Sequence, residues 1–142
     1  MTTTAEANKR TVRRIPEEVV NQGNLDALDE IFAEDVVDHG PAGDVGGRER
    51  IEEGFETLLG AFPDFTVIVD EILAEGDTVA VRLTERGTHE GAFVGIDPTG
   101  RAVEFEAMAF LRLEDGKVAE RWTQLDQLGL MEQLGVAQPP GE

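Results

Sequence analysis

The sequence has no cysteine, and only two of its 142 residues are lysine, Lys9 and Lys117. Without cysteine, the chain can form neither a disulfide framework nor a thiolate site. No apolar run approaches the about 18 residues that a membrane-spanning helix requires. The first residues also lack the basic-then-apolar order of a secretory signal peptide. We therefore expect a cytoplasmic protein without a membrane span.

Positive charge is scarce, because 30 acidic residues outnumber 12 basic ones and the formal net charge is −18. Duplex nucleic acid and anionic membranes both select a basic protein face, so neither is an expected partner. Repulsion among so many acids is screened in concentrated salt, where the Debye length falls to about 3 Å. The near absence of lysine thus favours a halophilic protein. Arginine-rich coding and an acidic surface that aids solubility are the alternatives.

The length predicts a single domain over residues 1–142, with a core from about residue 6 to residue 136 and frayed ends. The first half of the chain has helical spacing of apolar residues. It predicts a helix from about Ala5 to Asn21 that Pro16 interrupts, and a short helix with Asn24 as its N-cap. An apolar stripe over 51–62 predicts a third helix after a loop at 40–47.

From Phe65 onward the apolar period changes to two, which is typical of strands. Strands are predicted around 36–39, at 65–73, 78–87, 101–114 and 117–126, with a terminal helix at 127–134. Helices followed by a long antiparallel meander indicate an α+β fold. In the expected architecture, a curved antiparallel sheet wraps around the N-terminal helices and forms a cone-shaped pocket. An α+β sandwich with a filled core is the alternative.

The last hairpin, around Asp115-Gly116, predicts which residues face the pocket. If Glu114 pairs with Lys117, directly opposed residues share a face of the sheet. One face then carries these pairs: Phe105 with Asp126, Ala107 with Gln124, Ala109 with Trp122, and Leu111 with Glu120. Small residues beside an aromatic and a few polar groups are typical of a ligand cavity. A slip of one residue would move all of them to the other face.

Asp126 is the candidate acid/base residue. A carboxylate on an apolar wall should have a raised pKa, which suits proton transfer. Alternatively, Asp126 caps the helix that follows it. His39, beside Asp38, and His89, where a strand meets a loop, are each either a catalytic or orienting group or a structural polar contact. No HxH or HExxH spacing is present, so no metal ligand is predicted.

Several short segments, kept in order over about residues 10–136, resemble the SnoaL-like polyketide cyclases, or ester cyclases, of the nuclear-transport-factor-2-like superfamily. These segments are Asn21-Gln22-Gly23-Asn24, 35–39, 87–91, 95–101, 114–118, 122–126 and 133–135. The resemblance implies a bent antiparallel sheet around a helix-lined pocket, a homodimer or higher oligomer, and no metal or cofactor. It also implies that a pocket aspartate, here Asp126, removes a proton next to a carbonyl so that an intramolecular aldol condensation closes a ring.

The chain departs from the antibiotic-pathway cyclases at Ala107 and Ala109, where those enzymes place a glutamine and a histidine. The sequence therefore predicts a cofactor-independent acid/base enzyme for a small, mainly apolar carbonyl compound, such as a polyketide. Asp126 would be its acid/base residue. The substrate would lie against Trp122, Gln124, Phe105, Ala107, Ala109, His39 and His89. Two alternatives stay open: a non-catalytic protein that binds a small hydrophobic ligand, and an epoxide or ester hydrolase in which Asp126 activates water.

Overall fold

The structure is a computed structural model that describes residues 4–41 and 43–136. Its helices are α1 (Thr4–Arg14), α2 (Leu28–Ile31), α3 (Arg48–Ala61) and α4 (Gln127–Leu134). Its strands are β1 (Phe32–Gly40), β2 (Gly43–Gly46), β3 (Thr66–Glu75), β4 (Thr78–Thr88), β5 (Ala102–Glu114) and β6 (Lys117–Leu125). None of the described helices combines the length and the apolar character needed to cross a membrane.

The six strands form one curved sheet in the order β2-β1-β6-β5-β4-β3. The run from β3 to β6 is antiparallel, as predicted, whereas β1 pairs with β6 in parallel. The segment expected to be a loop at 40–47 contains β2, which pairs antiparallel with β1. Helix α1 packs against β3 and β4, and α3 packs against β1, so both cover the concave face. The predicted α+β fold is confirmed, with a sheet that is mostly rather than wholly antiparallel.

Pro16 changes the first helix in a specific way. It has no amide hydrogen, and its ring is incompatible with the regular α-helical hydrogen-bond pattern. Helix α1 therefore ends at Arg14 and continues as a π-helical turn, Ile15–Val20, in which the Asn21 amide donates to the Pro16 carbonyl at 2.9 Å. Asn24 makes no side-chain cap, so that prediction is wrong. The next helix begins as a 3₁₀ turn, whose tighter hydrogen bond joins the Ala27 amide to the Asn24 carbonyl.

The register of the β5–β6 hairpin changes within the hairpin. Glu114 pairs with Lys117 as predicted, but Arg112 pairs with Glu120, so Ala119 is an extra residue in β6. Such a bulge shifts every later pair by one, and a shift by one exchanges the two faces of a strand. The predicted pairing is therefore wrong beyond the bulge. Ala109 opposes Thr123 and Ala107 opposes Leu125.

Candidate active site

A cavity of about 340 Å³ lies between the concave face of the sheet and the covering helices. This volume is within the range of small-molecule sites, about 300–1,000 Å³. Most lining residues are apolar; Phe55 and Leu58 come from α3, and Phe105, Ala107 and Ala109 come from β5. The polar lining side chains belong to Arg13, Asp38, Arg50, Glu85, Arg121 and Thr123. The cavity can therefore hold a mainly apolar molecule with a few polar contacts.

Glu85 places a carboxyl group in this apolar cavity. It follows Val81 and Leu83 at alternate positions of β4, so the pleat directs it inward with them. Within the described residues its carboxylate has no hydrogen bond or ion pair. Burial raises the pKa of Glu85 from 4.5 to about 7, although the positive charge of Arg121 acts in the opposite direction. Glu85 can therefore both accept and return a proton near neutral pH.

Arg121 provides a fixed positive charge in the same cavity. The parallel pairing of β1 with β6 sets Arg121 directly beside Asp38. Its Nε donates to Oδ1 at 2.9 Å and its Nη2 donates to Oδ2 at 3.2 Å. Only 17% of the arginine side chain and 15% of the aspartate side chain are exposed. The guanidinium carbon lies 5.5 Å from the ring centre of Phe32 and 5.7 Å from that of Phe55. A paired, stacked guanidinium has little freedom to reorient.

Trp122 and Gln124 lie on the outer face of the sheet, opposite to the prediction. The bulge at Ala119 causes this, because it turns Arg121 and Thr123 inward in their place. Trp122 is 41% exposed. Neither residue contributes to the cavity lining in the part of the chain that the structure describes. The prediction that these two side chains face the pocket is wrong.

Asp126 follows the end of β6 and is exposed. It is the N-cap of α4, and its Oδ1 accepts a hydrogen bond from the Gly129 amide at 3.0 Å. The capping alternative is thus confirmed. The predicted place on the cavity wall is wrong, because the shifted register leaves Phe105 without a partner on β6 and Asp126 beyond the last strand pair.

The two histidines occupy different environments. His39 lies on the outer face, between Asp44 (2.8 Å from Nδ1) and Glu120 (2.7 Å from Nε2), and its ring stacks on Trp122 at 5.3 Å. The hydrogen bond to Glu120, then that to Asp44, raises the pKa of His39 because both favour the imidazolium. The expected partner Asp38 is instead bound to Arg121.

His89 is fully buried, and its Nδ1 accepts a hydrogen bond from the Thr99 amide at 3.2 Å. Its ring packs against Phe62 with 5.5 Å between centroids. Like His39, it is absent from the cavity lining among the described residues. Over that same part of the chain, no group of three or more acidic or histidine side chains could hold a metal ion.

The sequence reasoning missed Glu85. The predicted register, in which Glu120 and Trp122 face the pocket, also implied that Arg121 between them faces away from it, and this is wrong. A signal for Glu85 existed, since it continues the alternation of Val79, Val81 and Leu83 as the one acid on that apolar face. Phe105, Ala107 and Ala109 do line the cavity. Their contact with a substrate stays a prediction. The described geometry therefore brings together a carboxyl of raised pKa, a held guanidinium and a small-residue wall.

Comparisons with known proteins identify a family for this chain. The sequence model of the SnoaL-like polyketide cyclase family matches residues 10–134. Aklanonic acid methyl ester cyclase DauD of Streptomyces sp. (strain C5) is 30% identical over 138 residues, covering 92% of this chain and 83% of DauD. IdmH of Streptomyces antibioticus, a candidate polyketide cyclase, is 36% identical with a TM-score of 0.79, covering 91% of this chain and 99% of IdmH. A candidate SnoaL-like cyclase from Jannaschia sp. CCS1 is 27% identical with a TM-score of 0.88, covering 98% of both chains.

Proposed function

Since the chain belongs to the SnoaL-like polyketide cyclase family, we propose that it is a cofactor-independent acid/base enzyme for a small, mainly apolar carbonyl compound. The observation that carries this proposal is the Glu85 carboxyl, whose pKa is about 7 inside an apolar cavity. The proposed substrate is polyketide-like, and the proposed reaction is an intramolecular aldol condensation. Glu85 takes the acid/base role that the sequence suggested for Asp126.

In this mechanism the Glu85 carboxylate removes a proton from the carbon next to a substrate carbonyl. The C–H electron pair becomes the double bond of an enolate. The enolate carbon then attacks a second carbonyl of the same molecule and forms the new carbon–carbon bond. The resulting alkoxide takes the proton back from the Glu85 carboxylic acid, so the addition step is balanced without any other reactant. A base whose pKa is close to the operating pH serves both directions of transfer well.

Arg121 stabilises the negative charge that develops on the enolate oxygen. A fixed charge in a dry, apolar cavity acts more strongly than the same charge in water. Asp38 occupies its Nε and Nη2, while Nη1 has no hydrogen-bond partner within the described residues. This leaves N–H groups that can reach a substrate oxygen. Asp38 is thus a positioning residue, which keeps the guanidinium in one orientation.

The proposal is tested by following proton exchange with 2-tetralone, a bicyclic ketone with acidic C–H groups next to its carbonyl. Proton NMR in D₂O measures how fast these protons are replaced by deuterium. The wild type should accelerate the exchange, and E85Q should lose about 100-fold or more of that acceleration, which is the usual contribution of a general base. D126N is the control, and it should keep the wild-type rate. The same variants are then assayed with aklanonic acid methyl ester, which the name of the relative DauD identifies.

Two results would contradict the proposal. If E85Q exchanges 2-tetralone as fast as the wild type, Glu85 is not the base. If only D126N is impaired, the original assignment of Asp126 is correct and the structural argument for Glu85 fails. Exchange that follows ionisation of Glu85 should increase as the pH rises through about 7.

A non-catalytic binding protein is the second candidate. The small residues Ala107 and Ala109 favour it, because they leave an apolar wall where the antibiotic-pathway cyclases are expected to carry polar groups. A protein of this kind should bind 2-tetralone without accelerating exchange in any variant. The two candidates therefore differ in one measurement on the wild type.

We also propose a homodimer or higher oligomer, as the family resemblance implies. The outer face of the sheet exposes Met108, Phe110 and Trp122, an apolar group on an otherwise highly charged chain. Analytical ultracentrifugation should give a mass at least twice that of the chain. A monomer at all concentrations would contradict this proposal.

A further inference from the structure

Thr123 has a buried hydroxyl group that the mechanism above does not use. Its Oγ1 is shielded from solvent and makes no hydrogen bond to any described residue. A buried hydroxyl without a partner destabilises a fold, and such groups are rare in native proteins. Valine has nearly the same shape and would avoid this cost. The hydroxyl therefore needs a role that packing does not provide.

The position of Thr123 suggests that role. It lines the cavity, and its partner across the sheet is Ala109, whose side chain is only a methyl group. The Oγ1 itself is buried in the ligand-free protein, and a rotation about χ1, which exchanges the positions of the hydroxyl and the methyl group, turns the hydroxyl toward a bound molecule. Arg121 lies two residues earlier on the same face of β6. Two residues along a strand span about 6.5 Å, so both side chains enter the same part of the cavity. One is a guanidinium, which can only donate hydrogen bonds, and the other is a hydroxyl with an unused donor.

We propose that the Thr123 hydroxyl donates a hydrogen bond to a carbonyl oxygen of the substrate, the same oxygen toward which Arg121 directs its charge. This inference rests on the proposed function, because it identifies the group that holds the reacting carbonyl. Two donors that converge from one strand select a ligand with an acceptor oxygen at that place. They disfavour a hydrocarbon of the same shape, which would leave both donors unpaired. Thr123 thus determines specificity for oxygenated, ketone-bearing molecules.

Binding of a matched ligand pair tests this proposal. 2-Tetralone and tetralin share one bicyclic frame, and only the first carries a carbonyl oxygen. Their dissociation constants are measured by calorimetry for the wild type, T123V, T123S and T123A. The wild type should prefer the ketone. T123V should lose about tenfold of its affinity for 2-tetralone, the usual effect of one hydrogen bond, and should bind tetralin at least as well as before. T123S, which keeps the hydroxyl, should retain the preference.

The melting temperature of the ligand-free protein gives a second readout, in which T123V should gain stability although it loses affinity for the ketone. T123V should melt at a higher temperature than the wild type, because it removes the unpaired buried hydroxyl. T66V is the matched control, since Thr66 is exposed at the start of β3. It should leave ligand preference unchanged. A loss of ketone preference together with greater stability cannot come from a damaged fold.

Failure of this inference is separable from failure of the proposed function. The inference is overturned if the wild type shows no ketone preference, or if T123V and T123A keep it in full. The proposed function is overturned if E85Q exchanges protons like the wild type. A Thr123-dependent ketone preference without proton exchange would support the inference and leave the chain a binding protein.

Discussion

Replacement of Glu85 by glutamine should stabilise the protein at alkaline pH. The cavity withholds water from this carboxyl, so the folded state binds its proton more tightly than the unfolded state does. The folded pKa is about 7, whereas the ordinary value is 4.5. Between these values the folded protein carries more protons, and its stability therefore falls as the pH rises through this window. The difference between the two pKa values corresponds to about 3 kcal/mol. Glutamine has the same size and no charge, so E85Q escapes this cost.

Urea unfolding measured by circular dichroism between pH 5 and pH 9, at constant ionic strength, gives the required free energies. The other carboxylates titrate equally in E85Q and in the wild type. The difference between the two free energies of unfolding therefore reports the contribution of Glu85 alone. That difference should increase by about 2.5 kcal/mol from pH 5 to pH 9, because a small part of the effect has already developed below pH 5. In thermal unfolding this is roughly 8 °C for a domain of this size. E106Q is the control, because Glu106 is exposed on the outer face of β5.

A difference that stays constant from pH 5 to pH 9 would refute this reasoning. It would mean that Glu85 has the same pKa in the folded and unfolded states, so the cavity would not raise it. The argument for Glu85 as a base near neutral pH would then lose its electrostatic support. A rise of equal size in E106Q would instead point to the overall acidity of the chain.

Three further predictions follow from the remaining contacts. The fluorescence of Trp122, the only tryptophan, should increase as the pH rises through the raised pKa of His39, because the imidazolium stacked on the indole loses its charge. H39Q should abolish this transition, and its persistence in H39Q would exclude His39 as the cause. In urea titrations, D126A should lower the free energy of unfolding by about 1 kcal/mol, because the Gly129 amide loses its acceptor, while D126N should remain close to the wild type. An equal decrease in the free energy of unfolding in both variants would argue against a cap. The melting temperature should rise steeply with molar KCl, since salt screens the net charge of −18, and a flat response would remove the inference of a halophilic protein.

Local patterns were sufficient for much of the fold. The apolar stripe over 51–62 corresponds to α3, and the cap at Asp126 marks the start of α4. The alternating segments correspond to the antiparallel run from β3 to β6. Each of these signals operates within one element or between neighbours along the chain. Residues that are close in sequence contain the information needed to place them.

The arrangement of the site depends on contacts that are distant in sequence. Nothing in the type of residue at Ala119 indicates a bulge, and yet that residue decides which side chains of β6 face the cavity. The parallel pairing that sets Asp38 beside Arg121 joins strands that are far apart in the sequence. Reasoning from hairpins, which pair strands that follow each other along the chain, does not predict such a contact. Glu85 is different, because the alternation of Val81 and Leu83 in the sequence already indicates that it shares their face of β4. Only its burial in the cavity required the structure.

The bulge at Ala119 also has a consequence for how this site can change over time. A ladder without the bulge needs one residue fewer between Val118 and Glu120, so deletion of the Ala119 codon would make the β5–β6 pairing regular. Arg121 and Thr123 would still oppose Leu111 and Ala109, and their side chains would still face the cavity. The strand can therefore keep or lose its extra residue without exchange of its two faces. Homologues whose β6 strands differ by this one residue can thus share one cavity lining.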